Sequence, residues 1–594
     1  MKHSIYSYFY FLGILIFSCQ PNKEMNTDIL INHTGYQTNG IKKMVLQTNS
    51  NEILEKFELV NSENQIVYSS AFLDGGKIDN WHTGNAFEGV FSEFSKEGEY
   101  FIQTTLDGQE VKSNTFSIHN NSLSQQSLDL IIQGFESQHI AGDYDKKDAE
   151  MTFFGEREDI VDARGGWYDA SGDRGKYLSH LCYSNYFNPQ QIPMIAWNLF
   201  ESLNQIKLNN QNIENSVIER MRKEAAYGSD YLMRVQDNEG YFYINIFANW
   251  SWEAEKREIC AYEGSDGIKT DEYQAGFREG GGMAIAALAR ASEEAENGAL
   301  KNEEYLQAAI KGFNHLVENN HKYIDDGIEN IIDDYCALIA ATELFSATNE
   351  TSYLEYARTR MTILTSRLSS DENYKGWWSA NEDRSRPFFH GVEPGLPVIS
   401  LVRYLSFETD DAFRNTAINA IQKSVDFELN ITNDVHNPFG YPRQYVKAVN
   451  EANKKATFFI PHENETGYWW QGENSRLASL TSAFYMAQDY LTETQKEKTI
   501  QYSANCLNWI LGLNPYNVGM VDGLGYNNPD YREGDNSLNF KGGVCNGITA
   551  GFSDESDIAF MPLPQDDDPS HKWRWSEQWM PHASWFMLAV TTIK

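Results

Sequence analysis

Cysteine is scarce, with six in 594 residues. Apart from Cys19 they are Cys182, Cys260, Cys336, Cys506 and Cys545, an odd and scattered set that excludes a disulfide framework and reads as small core residues. The chain has no CxxC pair and no HExxH, so neither a structural zinc site nor a zinc protease is indicated. Basic residues are also few. Lys and Arg total 48 against 84 Asp and Glu, a formal net charge of −36, and such a chain repels phosphate backbones and anionic lipid. Nucleic acid is therefore excluded as a partner, whereas a neutral or cationic substrate is compatible. Acidity also keeps an exported protein soluble, whatever its substrate. The apolar run Tyr8 to Phe17 is too short to span a membrane. No repeat of fixed period is evident, which argues against a solenoid.

Apolar residues make up 41% of the chain and aromatics 13%. The first suffices for large cores; the second exceeds what cores need and suits stacking on carbohydrate. A chain of this length is expected to hold two domains. Residues Met1 to Cys19 read as a targeting segment: Lys2 supplies the positive start and Ile16-Phe17-Ser18-Cys19 the cleavage site. That site resembles a bacterial lipobox, with Ile where Leu is commoner, which implies a lipidated Cys19 and an exported, membrane-anchored lipoprotein, periplasmic or at the cell surface. A plain secretory signal is the alternative. Residues 20–27 are polar and form a tether.

Residues 28–118 carry the pattern of strands, among them Met44-Val45-Leu46, Phe57-Glu58-Leu59-Val60 and Tyr100-Phe101-Ile102, with Gly, Asn and Asp turns between them. This predicts a small β-sandwich. After the polar linker 119–122 the periodicity becomes helical, and about a dozen helices are expected between residue 123 and the C-terminus at 594. Four long loops interrupt them, at about 139–190, 370–393, 437–472 and 514–581. Loops that long in a compact domain are usually functional.

The first of these loops holds Gly165-Gly166-Trp167-Tyr168-Asp169-Ala170-Ser171-Gly172-Asp173-Arg174-Gly175-Lys176-Tyr177. Two carboxylates four residues apart, among small residues, can face one cleft and accept protons from a water while aiming its oxygen; the neighbouring Trp167 and Tyr168 offer flat faces to a sugar. An acidic surface turn is the plain alternative. Inverting hydrolysis of a glycoside also needs an acid, roughly 6.5 to 9.5 Å from the base so that water fits between base and sugar. The best candidate is Glu577, set among Trp573, Trp575 and Trp579, because apolar rings desolvate a carboxyl and keep its proton on. Trp469 and Trp470 are candidate sugar platforms, although one of two adjacent aromatics often faces inward. His390 could hydrogen-bond a sugar hydroxyl or fix its own loop. Asp566-Asp567-Asp568 could collect a cation such as Ca²⁺ or form a solvated acidic loop. No cofactor is required.

The stretch at 165–177 resembles the Asp-Ala-Gly-Asp motif of glycoside hydrolase family 9, the inverting cellulase family. Supporting stretches are 389–397, 467–474 and 509–516, and Asn32-His33-Thr34-Gly35-Tyr36 looks like the opening of the immunoglobulin-like domain that precedes many cellulase catalytic domains. The resemblance implies a mostly α protein, an (α/α)6 barrel at 123–594 after an immunoglobulin-like β-sandwich. It implies Asp173 as catalytic base, Asp169 as the residue that helps hold the water and Glu577 as acid. Two departures stand out. Ser171 and Gly172 widen the spacing of the two Asp by one residue, which leaves open which of them is the base. The paired His with Arg of typical endoglucanases is missing after Asn514, where the chain reads Gly525-Tyr526-Asn527-Asn528-Pro529-Asp530-Tyr531-Arg532. The pattern is similar instead to a branch acting from the non-reducing end of β-1,4-linked oligosaccharides, cello-oligosaccharides or chitosan oligosaccharides. For an ammonium sugar, Glu393, Glu473, Asp554 and Asp557 are candidate partners. An endo-acting cellulase or other β-glucan hydrolase, and a carbohydrate-binding lipoprotein without turnover, are the alternatives.

Overall fold

The computed structural model describes residues 27–594 except 74, 295–297 and 468. The signal segment, Cys19 and all of the tether but residue 27 lie outside the described residues. Among these residues no helix is long and apolar enough to cross a membrane.

Ten short strands open the chain: β1 Asp28–Leu30, β2 Tyr36–Gln37, β3 Lys43–Thr48, β4 Lys56–Asn61, β5 Ile66–Ala71, β6 Gly76–Lys77, β7 Asn85–Val90, β8 Gly98–Leu106, β9 Gln109–Lys112 and β10 Phe116–His119. They form two sheets, β1-β3-β7-β6 and β2-β10-β8-β4-β5, with β9 paired to β8. The β8–β9 turn is Asp107-Gly108, both at positive φ, the two-residue loop whose twist suits a hairpin. Alternation along β8 buries Tyr100, Ile102, Thr104 and Leu106, as expected of a half-buried strand.

β3 breaks that alternation, since every residue of it is buried. Met44 and Leu46 enter the sandwich core, while Val45 joins the core of the second domain together with Trp81. Lys43 Nζ donates to the carbonyl of Pro438 at 2.7 Å, and Gln47 to that of Pro515 at 3.0 Å. The ring of Trp81 packs 4.8 Å from Phe458 and 6.2 Å from Trp509. The sandwich is thus fused to its neighbour through β3, a strand buried on both faces.

The second domain contains α1 Leu123–Ser137, α2 Asp143–Asp148, α3 Ile192–Leu208, α4 Asn215–Arg234, α5 Gly282–Glu294, α6 Asn302–Tyr323, α7 Ile331–Thr348, α8 Thr351–Ser366, α9 Leu396–Leu405, α10 Asp411–Asn433, α11 Asn474–Met486, α12 Glu493–Ile510, α13 Pro569–Ser576 and α14 Met580–Thr592. The linker ends where Ser122 caps α1 in a capping box with Gln125, which meets orphan N–H groups of the first turn. Helices α3, α5, α7, α9, α11 and α14 contact one another in that order, and α14 returns to α3; α4, α6, α8, α10, α12 and α1 each lie against one of them. Composition explains which helix goes where. α14 is buried along its whole length, whereas α6 buries only the stripe Tyr305, Ala308, Ala309, Gly312, Phe313, Leu316 and Asn320. A helix apolar all round belongs inside and an amphipathic one outside. Among the inner helices, Arg403 grips both oxygens of Glu343 at 3.0 and 2.9 Å, and Arg290 reaches Glu201 at 3.2 Å.

A small sheet of β11 Lys176–Tyr177, β12 Asn245–Phe247, β13 Glu258–Glu263 and β14 Ile268–Thr270 lies in the connections between these helices. It receives the end of the 165–177 motif.

Candidate active site

Asp169 and Asp173 are held by a tight loop. The Asp169 N–H donates to the carbonyl of Gly175 at 3.1 Å, the Gly175 N–H donates to Asp173 Oδ1 at 2.7 Å, and the Tyr177 hydroxyl donates to Asp173 Oδ2 at 2.8 Å. Asp169 accepts from Trp579 Nε1 at 2.9 Å and from Gln191 Nε2. Behind the loop lies a buried triad. Arg257 donates to both oxygens of Asp148 at 2.8 and 2.9 Å, and Lys176 Nζ stands 2.7 Å from the same carboxylate. Arg257 also donates to the carbonyl of Arg174, and Lys176 to that of Gly165 at 3.0 Å. The loop that carries the two Asp is therefore pinned from the back on either side of them.

Glu577 comes from the far end of the chain and is brought in by backbone pairing. Ser171 N–H donates to the carbonyl of Gln578 at 2.8 Å and Met580 N–H to that of Asp169 at 3.0 Å; Gln578 N–H donates to Ser171 Oγ at 3.1 Å. Gly172 faces Glu577 so closely that a Cβ there would lie 2.5 Å from Glu577 Oε1 and 2.7 Å from the ring of Tyr531. Only glycine fits, and its N–H is free to bond the Glu577 carboxyl.

The electrostatics separate the three acids. Burial, then the charge of Asp173, pushes Glu577 up to about 8. Burial and the Asp173 charge hold Asp169 well above the usual carboxylate range. Burial raises Asp173 as well, against the Gly175 N–H, the Tyr177 hydroxyl and the charges of Arg257 and Arg174. Two close carboxylates share one negative charge, and Asp173 has the better claim to it. Beside them lies His180, neutral because burial lowers it to about 3. Ligand atoms of Asp169, Asp173 and His180 lie within 4.8 Å of one another, a grouping able to grip a water or a cation. Asp566, Asp567 and Asp568 form no such group among the described residues; Asp568 instead caps α13 by accepting the Ser570 N–H at 2.9 Å.

These acids line a cleft of about 440 Å³ whose aromatic wall is Trp250, Trp252, Trp469, Trp573, Trp579 and Tyr531. A larger groove, about 730 Å³, runs past Tyr374 and Tyr445, but the hydroxyls of these tyrosines are spent on Asp434 and on Asp371.

Several sequence candidates lie elsewhere. Trp167 is fully buried with its Nε1 on Glu224 at 3.0 Å, and Trp575 is fully buried with its Nε1 on Thr549 at 2.9 Å; both are core residues. His390 fixes its own loop, its Nδ1 accepting from the N–H groups of Val392 and Glu393 at 3.1 and 3.3 Å. Trp470 faces inward, stacked 3.9 Å from His462 and 4.1 Å under Arg574, while Trp469 faces the cleft. Tyr168 stands outside the wall, over the Arg174 guanidinium at 4.6 Å. Of the acids considered for an ammonium sugar, Glu393 is bonded to Gln190 and Tyr335, Glu473 to Arg476, Asp557 to His82 and Asp554 to Ser556. None of the four lines the cleft. Sequence reasoning missed His180, Trp250, Trp252, Gln471 and Tyr531. The Trp250-Ser251-Trp252 stretch is a signal of a platform turn, but the carboxylates that follow it, Glu253 and Glu255, are exposed and do not line the cleft.

The sequence model described as "Glycosyl hydrolase family 9" matches residues 133–533, which include both Asp and stop short of Glu577; that of the "Cellulase N-terminal ig-like domain" matches residues 24–109. A cellodextrinase from Butyrivibrio fibrisolvens is 30% identical over 177 residues, a match spanning 26% of this chain and 30% of that protein. Solved structures share the fold. A family 9 glycoside hydrolase from Bacteroides ovatus superposes with a TM-score of 0.64 at 16% identity, covering 95% of this chain and 98% of its own. A metagenome-derived family 9 endoglucanase does so at 0.65 and 16%, covering 95% and 98%. With two thirds of its length matched by the family model, the chain belongs to glycosyl hydrolase family 9, whose members hydrolyse glycosidic bonds with inversion, and carries the family's immunoglobulin-like N-terminal domain.

Proposed function

We propose that this enzyme hydrolyses β-1,4-linked gluco-oligosaccharides from one end, with Asp173 as base, Asp169 as the group that helps hold the water and Glu577 as acid. The observation that carries the assignment is the convergence at Gly172, where the Glu577 carboxyl, raised to about 8, meets the loop that presents Asp173. A carboxyl protonated at neutral pH can give its proton to the leaving oxygen, while Asp173, the better-stabilised anion of its pair, takes one from water. Trp469, Trp573, Trp250 and Trp252 offer ring faces to the sugars. Among the described residues the lining acids are Asp169, Asp173 and Glu577 alone, which leaves no further carboxylate there for an ammonium group and favours cello-oligosaccharides over chitosan oligosaccharides. The partial match to a cellodextrinase points the same way. The cycle of inner helices with an outer partner each supports an (α/α)6 barrel. The lipobox-like Ile16 to Cys19 supports an exported, lipid-anchored protein, and loss of palmitate incorporation in Cys19→Ser would test it.

The test of function is product analysis. The enzyme is incubated with cellotetraose and, separately, with chitosan tetramer, while NMR follows product length and anomer. The proposal expects faster turnover of cellotetraose, cleavage at a single bond from the start with the two fragments in equal amounts, and the α-anomer first. Preference for the chitosan tetramer, or a mixture of all lengths at the earliest times, would overturn it.

A further inference from the structure

We infer that the segment Pro529 to Leu538, with Tyr531 at its root, is the wall that sets substrate length beside Glu577, and that the extra residue of the Asp motif, Ser171, holds this wall in place. The inference rests on the reading of Glu577 as acid. It joins the two places where the sequence departs from common cellulases.

Tyr531 lines the cleft and comes within contact distance of Gly172, as Glu577 does. Ring and carboxyl crowd the same point, 2.7 and 2.5 Å from where a Gly172 Cβ would lie, and burial, then the charge of Glu577, raises the phenol. From this root a hairpin projects outward. Arg532 pairs with Ser537 and Glu533 with Asn536, Leu538 N–H closes onto the carbonyl of Tyr531 at 2.8 Å, and Ser537 Oγ donates to Asp530 at 2.5 Å. Residues 532–537 are all exposed, so the hairpin stands up from the cleft edge as a free wall.

Its base is tied to the catalytic loops. Ser171 Oγ donates to Asn539 Oδ1 at 3.0 Å. Asn539 Nδ2 donates in turn to the carbonyls of Pro529 at 3.1 Å and Ser576 at 3.0 Å. One asparagine therefore joins the start of the hairpin, the residue before Glu577 and the motif insertion. Gln578 adds a second tie, accepting from Phe540 N–H at 2.8 Å and donating back to the Phe540 carbonyl at 3.0 Å. A motif without Ser171 would lack this hydroxyl. A ring fixed against the acid by such a mesh limits how many sugar units can extend on its side, because a chain continuing past Glu577 must pass through the ring and the hairpin behind it.

The experiment compares the wild type with Tyr531→Ala, Ser171→Ala and a variant in which residues 532–537 are replaced by two glycines. Initial rates are measured on cellobiose, cellotetraose and carboxymethylcellulose, with Glu577→Gln as control. The wall predicts that Tyr531→Ala and the truncation raise the ratio of polymer rate to cellobiose rate by about tenfold or more, the scale on which pocket contacts discriminate substrates. Ser171→Ala should shift the ratio the same way, to a smaller extent. Ratios within about twofold of the wild type in both Tyr531→Ala and the truncation would overturn the wall. Should the truncation not fold, the single substitution decides. Failure of the underlying reading looks different: Glu577→Gln would then cleave cellotetraose at the wild-type rate.

Discussion

Glu577 holds its proton because the fold removes it from water and places a negative charge, Asp173, nearby. The same cause has a price in stability whose sign can be stated. The carboxyl is raised from 4.5 to about 8 on folding, so between these values the folded chain binds more protons than the unfolded one, and stability falls as pH rises through that window. Replacing Glu577 by Gln removes the penalty. The variant is expected to melt above the wild type at pH 8 and to match it at pH 4, while kcat on cellotetraose falls by about 10²- to 10⁴-fold, the usual contribution of a general acid. The wild-type pH profile of kcat/KM should lose its alkaline limb near 8 in this variant. Thermal melts across pH and a rate profile check both; a variant that melts below the wild type at pH 8 contradicts the burial of an ionisable acid. Other residues were not legible in this way. Trp167, Trp575 and Trp470 look like platforms in the sequence, yet their backbones turn them into the core, and nothing in a run of adjacent aromatics tells which one faces out.

At the scale of elements, the motif loop depends on groups remote in sequence. Asp148 at the end of α2, Arg257 before β13 and Lys176 in β11 form one buried cluster, which is tied to the loop by Arg257 through the carbonyl of Arg174 and by Lys176 through that of Gly165. Removing Arg257 strips two charge-assisted hydrogen bonds, about 1.5 to 3 kcal/mol each, from a buried carboxylate that keeps Lys176 as its partner. Arg257→Met is expected to destabilise by about 3 to 5 kcal/mol, read by urea unfolding, and to lower kcat even at temperatures where the variant is folded. Unchanged kcat with reduced stability would make the cluster purely structural. The motif itself was plain in the sequence, because two Asp among glycines and aromatics are local. So was its extra residue. The partner of that residue was not, since Ser171 meets Asn539 across 368 positions, and neither a helix period nor a strand alternation carries such a pairing. The helices fared better: each of the expected dozen has a counterpart in the structure, because an apolar stripe or an apolar helix is written in consecutive residues. The short α2 and α13, with few apolar residues, left no such pattern.

The whole molecule behaves as two domains joined through a shared core. Strand gives way to helix between His119, the last residue of β10, and Leu123, the first of α1. The strand pattern of residues 28–118 showed a sandwich but not that β3 would be buried on both faces, since a run such as Met44-Val45-Leu46 reads alike whether it meets one core or two. Trp81, 4% exposed, fills the junction. Trp81→Ala is expected to cost about 3 to 5 kcal/mol and, by loosening the junction, to split a single melting transition into two by calorimetry; one unshifted transition would mean the domains are coupled elsewhere. For the enzyme as a whole, the central claim is the division of labour between Asp173 and Glu577, and hydrolysis of 2,4-dinitrophenyl β-cellobioside tests it most directly. This leaving group departs without a proton, so Glu577→Gln should stay within about tenfold of the wild type on it while losing about 10²- to 10⁴-fold on cellotetraose, and Asp173→Asn should lose about as much on both substrates. Equal losses by Glu577→Gln on the two substrates, or retention of aryl cellobioside cleavage by Asp173→Asn, would contradict the account.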